Sequence, residues 1–455
     1  MIQLTPFSQS VLHPAAAASM RRAITQLGVD GIAPAAPEEA DVRLAELTLA
    51  LWGEQPQEIG RLLGVTPPQR APQGKPGRGM KASERALEAF SPVHGRLQRW
   101  SEWVFASEWS QAQLLQVMEE VEPMVIEALT WMHLTAVAAV GSYAHLGTQI
   151  AKFEKDAARA HTLRLGLTAG LETPAGRLIE ALATGVAPET LQKAFGHMPM
   201  GAEGELAAPR IGEMTTALLG SAPPPEAMRW DPSQARGRQK EAERQARSRA
   251  GFLGRSGLKK AIDLAQTALI THAKARDALA FVLAATRHWA QAAAAEGMSD
   301  GRIQQPDEVF LLEIEEIKQM MTGEWHSREH IAPLIARRRE ERRQRPVSDQ
   351  RQGVGPLGVA GEMAEGALLP LHTPDEVVPP SGFIARAKDW RPAWWRVILM
   401  SEGVIAQNGN LLSWIASVGR AGDLPTLVGE RAGASWPVGT TIRLDPSRNQ
   451  VEKAA

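Results

Sequence analysis

Gly403-Val404-Ile405-Ala406-Gln407-Asn408-Gly409-Asn410-Leu411-Leu412-Ser413-Trp414 is the stretch on which the reading of this chain turns. Gly403–Ala406 is short and apolar, with β-branched residues, as a buried strand is. A helix follows from Leu412 to about Ala421, and Leu427-Val428 reads as the next strand. Short apolar runs set off by Gly and Pro also occur at Val377-Val378, Gly382–Ala385, Val397–Leu399 and Thr440–Leu444. Together they mark residues 346–455 as a small α/β segment.

The chain before it is helical in pattern. Residues 38–52 space Ala40, Leu44, Leu47 and Leu51 as a helix does. The Pro/Gly-rich stretch Pro67–Gly79 is a loop. Residues 83–150 read as two or three long helices, with Ser110 an N-cap. Further helices are expected over 174–195, opened by Thr173-Pro174, over the C-terminal half of the Ala/Arg/Lys-rich segment at about 234–296, and over 313–321 and 327–345. Asp307–Leu312 reads as a short strand. The expected fold class is therefore α plus α/β, a large all-helical domain followed by a small β/α domain. The divisions are 1–80, a helical and linker segment; 81–345, the helical domain; and 346–455, with the boundary at 345–355.

Composition narrows the function. The 455 residues carry a formal charge of -1 and are 44% hydrophobic, without a global bias toward nucleic acid or membrane. The run Arg337–Arg345 is interleaved with Glu340 and Glu341 at helical spacing, so it reads as a solvated helix face. No secretory signal opens the chain, and no unbroken apolar run is long enough to span a bilayer; a cytoplasmic location is expected. There is no Cys, which removes thiol catalysis and thiolate metal sites. His326 and His330 stand four apart without a third placed ligand, so no metal site is expected. Among 13 Trp, the group Trp390, Trp394, Trp395 and Trp414 stands out as an apolar face where a partner could dock.

The opening stretch, continued through Ala416, Arg420, Leu424-Pro425 and Val428-Gly429, resembles the signature of the swivelling phosphohistidine domain in the phosphoenolpyruvate synthase and rifampin phosphotransferase family. That signature runs Thr-Glu-x-Gly-Gly-x-x-Ser-His-Ala, then an Arg, then Gly-Ile-Pro-x-Val-x-Gly. Ser413, Arg420, Pro425 and Gly429 fall in register; the phosphocarrier His is Trp414. Ala406-Gln407 replaces Thr-Glu, Asn410 the second Gly, and Ala421 the Glu after the Arg. An imidazole lone pair can take a phosphoryl group, whereas the indole nitrogen only donates a hydrogen bond. Trp414 therefore cannot carry phosphate.

Other segments resemble the same family. Leu4-Thr5-Pro6 is similar to the element that follows its ATP-binding domain. Phe195-Gly196-His197, Glu203, Glu205-Leu206 and Pro209-Arg210 resemble its Tyr-Gly-His-Arg-Gly-x-x-Glu-x-Glu-Leu-x-x-Pro-Arg segment, with Met198-Pro199 in place of Arg-Gly. Gly301-Arg302-Ile303 with Asp307–Leu312 and Glu315–Ile317 matches the element before the swivelling domain, and Gly439, Ile442–Asp445 and Val451-Glu452 its closing hairpin.

The resemblance implies a chain that lacks the family's ATP-grasp region and binds no cofactor itself, ATP and Mg²⁺ being expected on a separate ATP-grasp partner. It implies a degenerate carrier site at Gln407, Gly409, Ser413, Trp414 and Arg420, with Ser413 explained by helix capping and Arg420 by surface charge. His197, Glu203, Glu205 and Arg210 are the candidate catalytic residues, as a general base with orienting groups or else a buried network. His372 is the candidate for a displaced nucleophile. The expected function is a non-phosphorylated subunit that binds a small organic acceptor or the partner. The alternatives are an active half-enzyme of a split phosphotransferase and a non-catalytic scaffold.

Overall fold

Side chains that take up free amide groups start the helices of the long N-terminal body. Thr5, Ser110, Asp156, Thr173 and Asp231 each accept a backbone N–H in a helix's first turn. In the computed structural model, residues 4–34, 39–67, 78–220, 223–324, 328–344, 355–430 and 436–454 are described. The helices are α1 (Pro6–Leu27), α2 (Ala40–Trp52), α3 (Pro56–Leu63), α4 (Gly79–Phe105), α5 (Gln111–Ile150), α6 (Ala157–Leu167), α7 (Pro174–Thr184), α8 (Pro188–Phe195), α9 (Ile211–Leu219), α10 (Pro232–Arg249), α11 (Gly251–Ser299), α12 (Ile314–Thr322) and α13 (Arg328–Gln344). The two longest, α5 and α11, pack along each other as the spine of the body. By length and hydropathy α5 could cross a membrane, but 78% of its most apolar window is buried inside this fold.

The α/β segment holds β1 (Leu357–Ala360), β2 (Ala364–Pro370), β3 (Phe383–Ala387), α14 (Trp395–Met400), β4 (Gly403–Ala406), α15 (Trp414–Gly422), β5 (Thr426–Val428), β6 (Thr441–Asp445) and β7 (Gln450–Lys453). They form one sheet in the order β1-β5-β4-β3-β2-β6-β7. Strands β5, β4, β3 and β2 run parallel; β1 and β6 flank them antiparallel, and β7 pairs antiparallel with β6 at the edge. Alternation along the strands sorts the two faces. Leu368, Ile384, Ile405 and Leu427 close a small apolar cluster on one face. Phe383, Ala385, Val404, Ala406 and Val428 turn to the other, where they join a core that continues through Leu44, Val137, Leu178 and Trp230 of the helical body.

Polar contacts run across this junction as well. The Leu411 amide donates to the Leu62 carbonyl at 2.9 Å and the Gly170 amide to the Arg420 carbonyl at 2.7 Å. Arg238 pairs with Asp423 at 2.6 Å, and His161 Nε2 lies 3.1 Å from the Gly358 carbonyl. The N-terminal helices belong to the same mass, since α1, α2 and α3 all pack on α5.

Several expectations are corrected. Asp307–Leu312 is a 3-10 turn over Pro306–Leu311, its start fixed by Glu308, which accepts the Gln304 and Gln305 amides. Its apolar run is buried against helices and so carries no strand alternation. Val397–Leu399 lies in α14, and Val377 is an exposed loop residue. The helix expected over 174–195 is two, divided at Gly185 with φ +64°. A positive φ at Gly251 likewise separates α10 from α11. Residues 68–77 of the expected loop and 345–354 of the expected boundary lie outside the described residues, as does His326.

Because the core is shared, the chain is expected to melt in one calorimetric transition. A Cβ at Gly422 would fall on the Trp230 indole. Gly422→Ala should therefore cost about 1–3 kcal/mol and lower the midpoint of that single transition; two separate transitions would show that the sheet folds independently.

Candidate functional site

The loop after β4 is held from below and from behind. Gln407 and Asn408 donate their amides to the Ala387 and Lys388 carbonyls. Gly409 adopts φ +135°, a conformation L side chains avoid, and a Cβ there would press on Ser413 Oγ and Val428. Asn410 turns the chain with Oδ1 accepting the Leu412 amide at 2.9 Å, and its Nδ2 reaches the Leu63 carbonyl at 3.3 Å. Asn410, where the resembled signature has Gly, thereby ties the loop to the C-terminal end of α3.

Two retained residues act differently from expectation. Ser413 stands at the N-cap of α15 but makes no side-chain cap; its hydroxyl donates to the Asn410 carbonyl at 2.8 Å. Arg420 is no surface charge. It is 2% exposed, and both terminal nitrogens donate to the Leu411 carbonyl at 3.1 Å. Burial, with Arg276 nearby, lowers it to about 10. It is the inner brace of the loop. Gly429 has φ +76°, in keeping with a turn role.

This loop forms one wall of a cavity of about 790 Å³ between the sheet and the helical body. Gln407, Gly409, Asn410, Ser413 and Trp414 line it on the sheet side. Facing residues come from α2, α3, α5, α7 and α11, among them Val42, Leu63, His133, Ala175, His272, Arg276 and Asp277. The volume matches that of small-molecule sites. Trp414 is partly buried at the edge of the shared core. Trp390, Trp394 and Trp395 are 5%, 6% and 1% exposed, so they present no free apolar face; Trp390 lines the cavity.

His197, Glu203, Glu205 and Arg210 are not gathered into one site. His197 Nε2 is 2.8 Å from Asp277 Oδ1, and its ring stacks on Phe281. Glu203 is half exposed and pairs with Arg276, which also donates to the Leu412 carbonyl. Glu203 itself lines the cavity, and His197 is joined to the wall through Asp277. Glu205 goes elsewhere. It accepts the Thr5 amide and the Thr5 and Ser8 hydroxyls at 2.8 Å each, and the Ala207 amide at 2.9 Å. Arg210 is 4% exposed; burial, beside Arg287, lowers it to about 10, and its guanidinium has no hydrogen-bond partner among the described residues. His372 is in an exposed turn, its amide bonded to Glu376.

The sequence reading missed His133, His272, Arg276 and Asp277. His272 and Arg276 interrupt an Ala- and Leu-rich helix four residues apart, which puts them on one face and is the signal that could have revealed them. Burial alone lowers His133 to about 4; burial, then Arg276 and Arg420, lowers His272 to about 3. Both are neutral at pH 7. Charged residues on the wall are paired within the protein, as Arg276 with Glu203, Asp277 with His197, and Arg61 with Glu58. No free cationic cluster suited to a nucleotide's phosphates faces the cavity among the described residues.

Compared with known proteins, the chain matches no family model and no curated sequence.

Acid should weaken this region. An unfolded His protonates near 6.5, whereas His133 stays neutral in the fold down to about 4. The folded state then binds fewer protons, so stability is full above pH 6.5 and is lost as pH falls toward 4. Urea unfolding at pH 7 and pH 4.5 is expected to show His133→Leu losing about 2 kcal/mol less than the native chain over that interval. Equal losses would contradict the assignment.

Proposed function

We propose that this chain is a non-phosphorylated, ligand-binding subunit of a phosphotransferase of the phosphoenolpyruvate-synthase type. It holds a small organic acceptor in the cavity between helical body and sheet and works with a separate ATP-grasp partner. One observation carries the reading: the loop that resembles a phosphocarrier site, with Trp414 at the position of the nucleophile, lines the same cavity as polar residues of α5 and α11. In a working carrier the loop presents an imidazole to the acceptor. Here it presents an indole, which adds apolar surface and has no lone pair to attack phosphorus.

The pairing of wall charges supports the same conclusion, because developing phosphoryl charge requires cationic groups free to meet it. Binding without transfer is what these residues are equipped to do. His197 does not rescue an active half-enzyme, since its side chain is 2% exposed and lies between Asp277 and Phe281.

The test uses an ATP-grasp protein of this family with ATP and Mg²⁺, followed by intact mass at mildly alkaline pH. The native chain is expected to gain no phosphoryl group. The triple variant Ala406→Thr, Gln407→Glu, Trp414→His is expected to gain one that is labile in acid. Phosphorylation of the native chain would overturn the reading and restore the half-enzyme. A folded triple variant that binds the partner but stays unmodified would show that the loop is not a former carrier site.

A further inference from the structure

A second hollow, of about 670 Å³, lies on the other side of α5 from the cavity under the sheet. Helix periodicity separates the two, since Met132 and Ala136 line the first while Trp131 and Leu134, on the opposite face, line the second. The floor of the second hollow is apolar, with Leu51 and Leu134 buried and Leu27 and Trp131 partly buried. Its other wall is the first three turns of α4. There Arg78, Lys81 and Arg85 share one helix face with Ala82, Ala86 and Ala89.

The three cations have no task within the fold. All are exposed, and none has an ion pair or a side-chain hydrogen bond among the described residues. No carboxylate stands on this wall among those residues, and Glu84 of the same helix turns away to Lys260 at 3.3 Å. For stability alone the arrangement is unfavourable. Lys81 and Arg85 are like charges four residues apart. Arg78 and Lys81 also stand at the positive end of a 27-residue helix whose first turn has no acidic residue. Around the first cavity, by contrast, Arg61, Arg276 and Arg391 each have a carboxylate partner. An anion in the second hollow would relieve the repulsion, and the apolar floor would cover the rest of the same molecule.

We propose that this hollow binds a small amphipathic anion. Arg78, Lys81 and Arg85 hold its carboxylate or phosphate head, and Trp131, Leu51 and Leu134 take its apolar body. The two guanidinium groups match the paired oxygens of such a head, and Lys81 adds a compact charge. The site is separate from the first cavity and does not depend on how that cavity is read.

Calorimetric titration of the full chain with 2-naphthoate, 2-acetylnaphthalene and acetate tests it, the first probe having both body and charged head and the others one each. Naphthoate is expected to bind about ten-fold more tightly than the neutral ketone, by a margin that shrinks as salt rises, and acetate to bind far more weakly than either. The double variant Lys81→Gln, Arg85→Gln should bring naphthoate down to the level of the ketone. The double variant Lys240→Gln, Lys259→Gln, which removes the same charge at exposed positions outside the hollow, should leave it unchanged. Because Lys81 and Arg85 repel each other, their variant is expected to melt no lower than the native chain. Naphthoate no tighter than the ketone, or an advantage that survives Lys81→Gln with Arg85→Gln, overturns the proposal. An equal loss in both double variants, or acetate binding as well as naphthoate, does the same. A lowered melting temperature for the Lys81 and Arg85 variant would give those cations to the fold and overturn it as well.

Discussion

The inner face of the sheet must be covered, and the remaining architecture follows from how that is done. Phe383, Ala385, Val404, Ala406 and Val428 form an apolar surface that water would penalise at about 25 cal/mol per Å², and the helical body covers it. Small residues let the two layers approach closely: a Cβ at Gly176 would collide with Ala421, and one at Gly422 with Trp230. Once the layers meet, the loop after β4 falls against the carbonyl end of α3, where Leu411 and Asn410 find partners in Leu62 and Leu63. The cavity is the space this docking leaves between the loop, α5 and α11.

Polar residues of the fold divide by what they hold. Arg420 braces the loop from inside, and Glu205 fastens the first turn of α1 to a segment 200 positions away. These are buried, multiply bonded groups whose contribution is to fix one arrangement. Arg276 belongs to both layers, with a carboxylate of the helical body on one side and a carbonyl of the loop on the other. The His133 imidazole has no hydrogen-bond partner among the described residues.

Much of the fold could be read from the chain. The change from helical spacing to short Gly- and Pro-bounded runs marks the α/β segment, and β3, β4, α15, β5 and β6 lie where that texture places them. Val397–Leu399 reads as a strand because the four residues Val397–Met400 are apolar and all buried, and so short a buried helical run has the same continuous apolar pattern as a buried strand. β1 and β2 went unseen because Gly358 and Gly366 break any simple alternation; at Gly358 an added side chain would strike the Pro446 backbone. The site was less legible than the fold. The bond from Glu205 to Thr5 joins residues with no local relation, and His133 stands alone in an apolar helix where spacing carries no message. Arg420 looked like surface charge because a single Arg in a short helix gives no sign of its burial.

Internal pairing of the wall charges also bears on how a molecule arrives. With Arg276, Asp389 and Arg61 each paired with a close opposite charge and Asp277 hydrogen-bonded to His197, the mouth of the cavity offers no single-signed cluster to solvent among the described residues. Encounter is then left to ordinary diffusion, without the acceleration that a single-signed cleft provides. Association should accordingly be indifferent to ionic strength, and residence time, set by the fit of the apolar wall, becomes the quantity through which affinity is tuned.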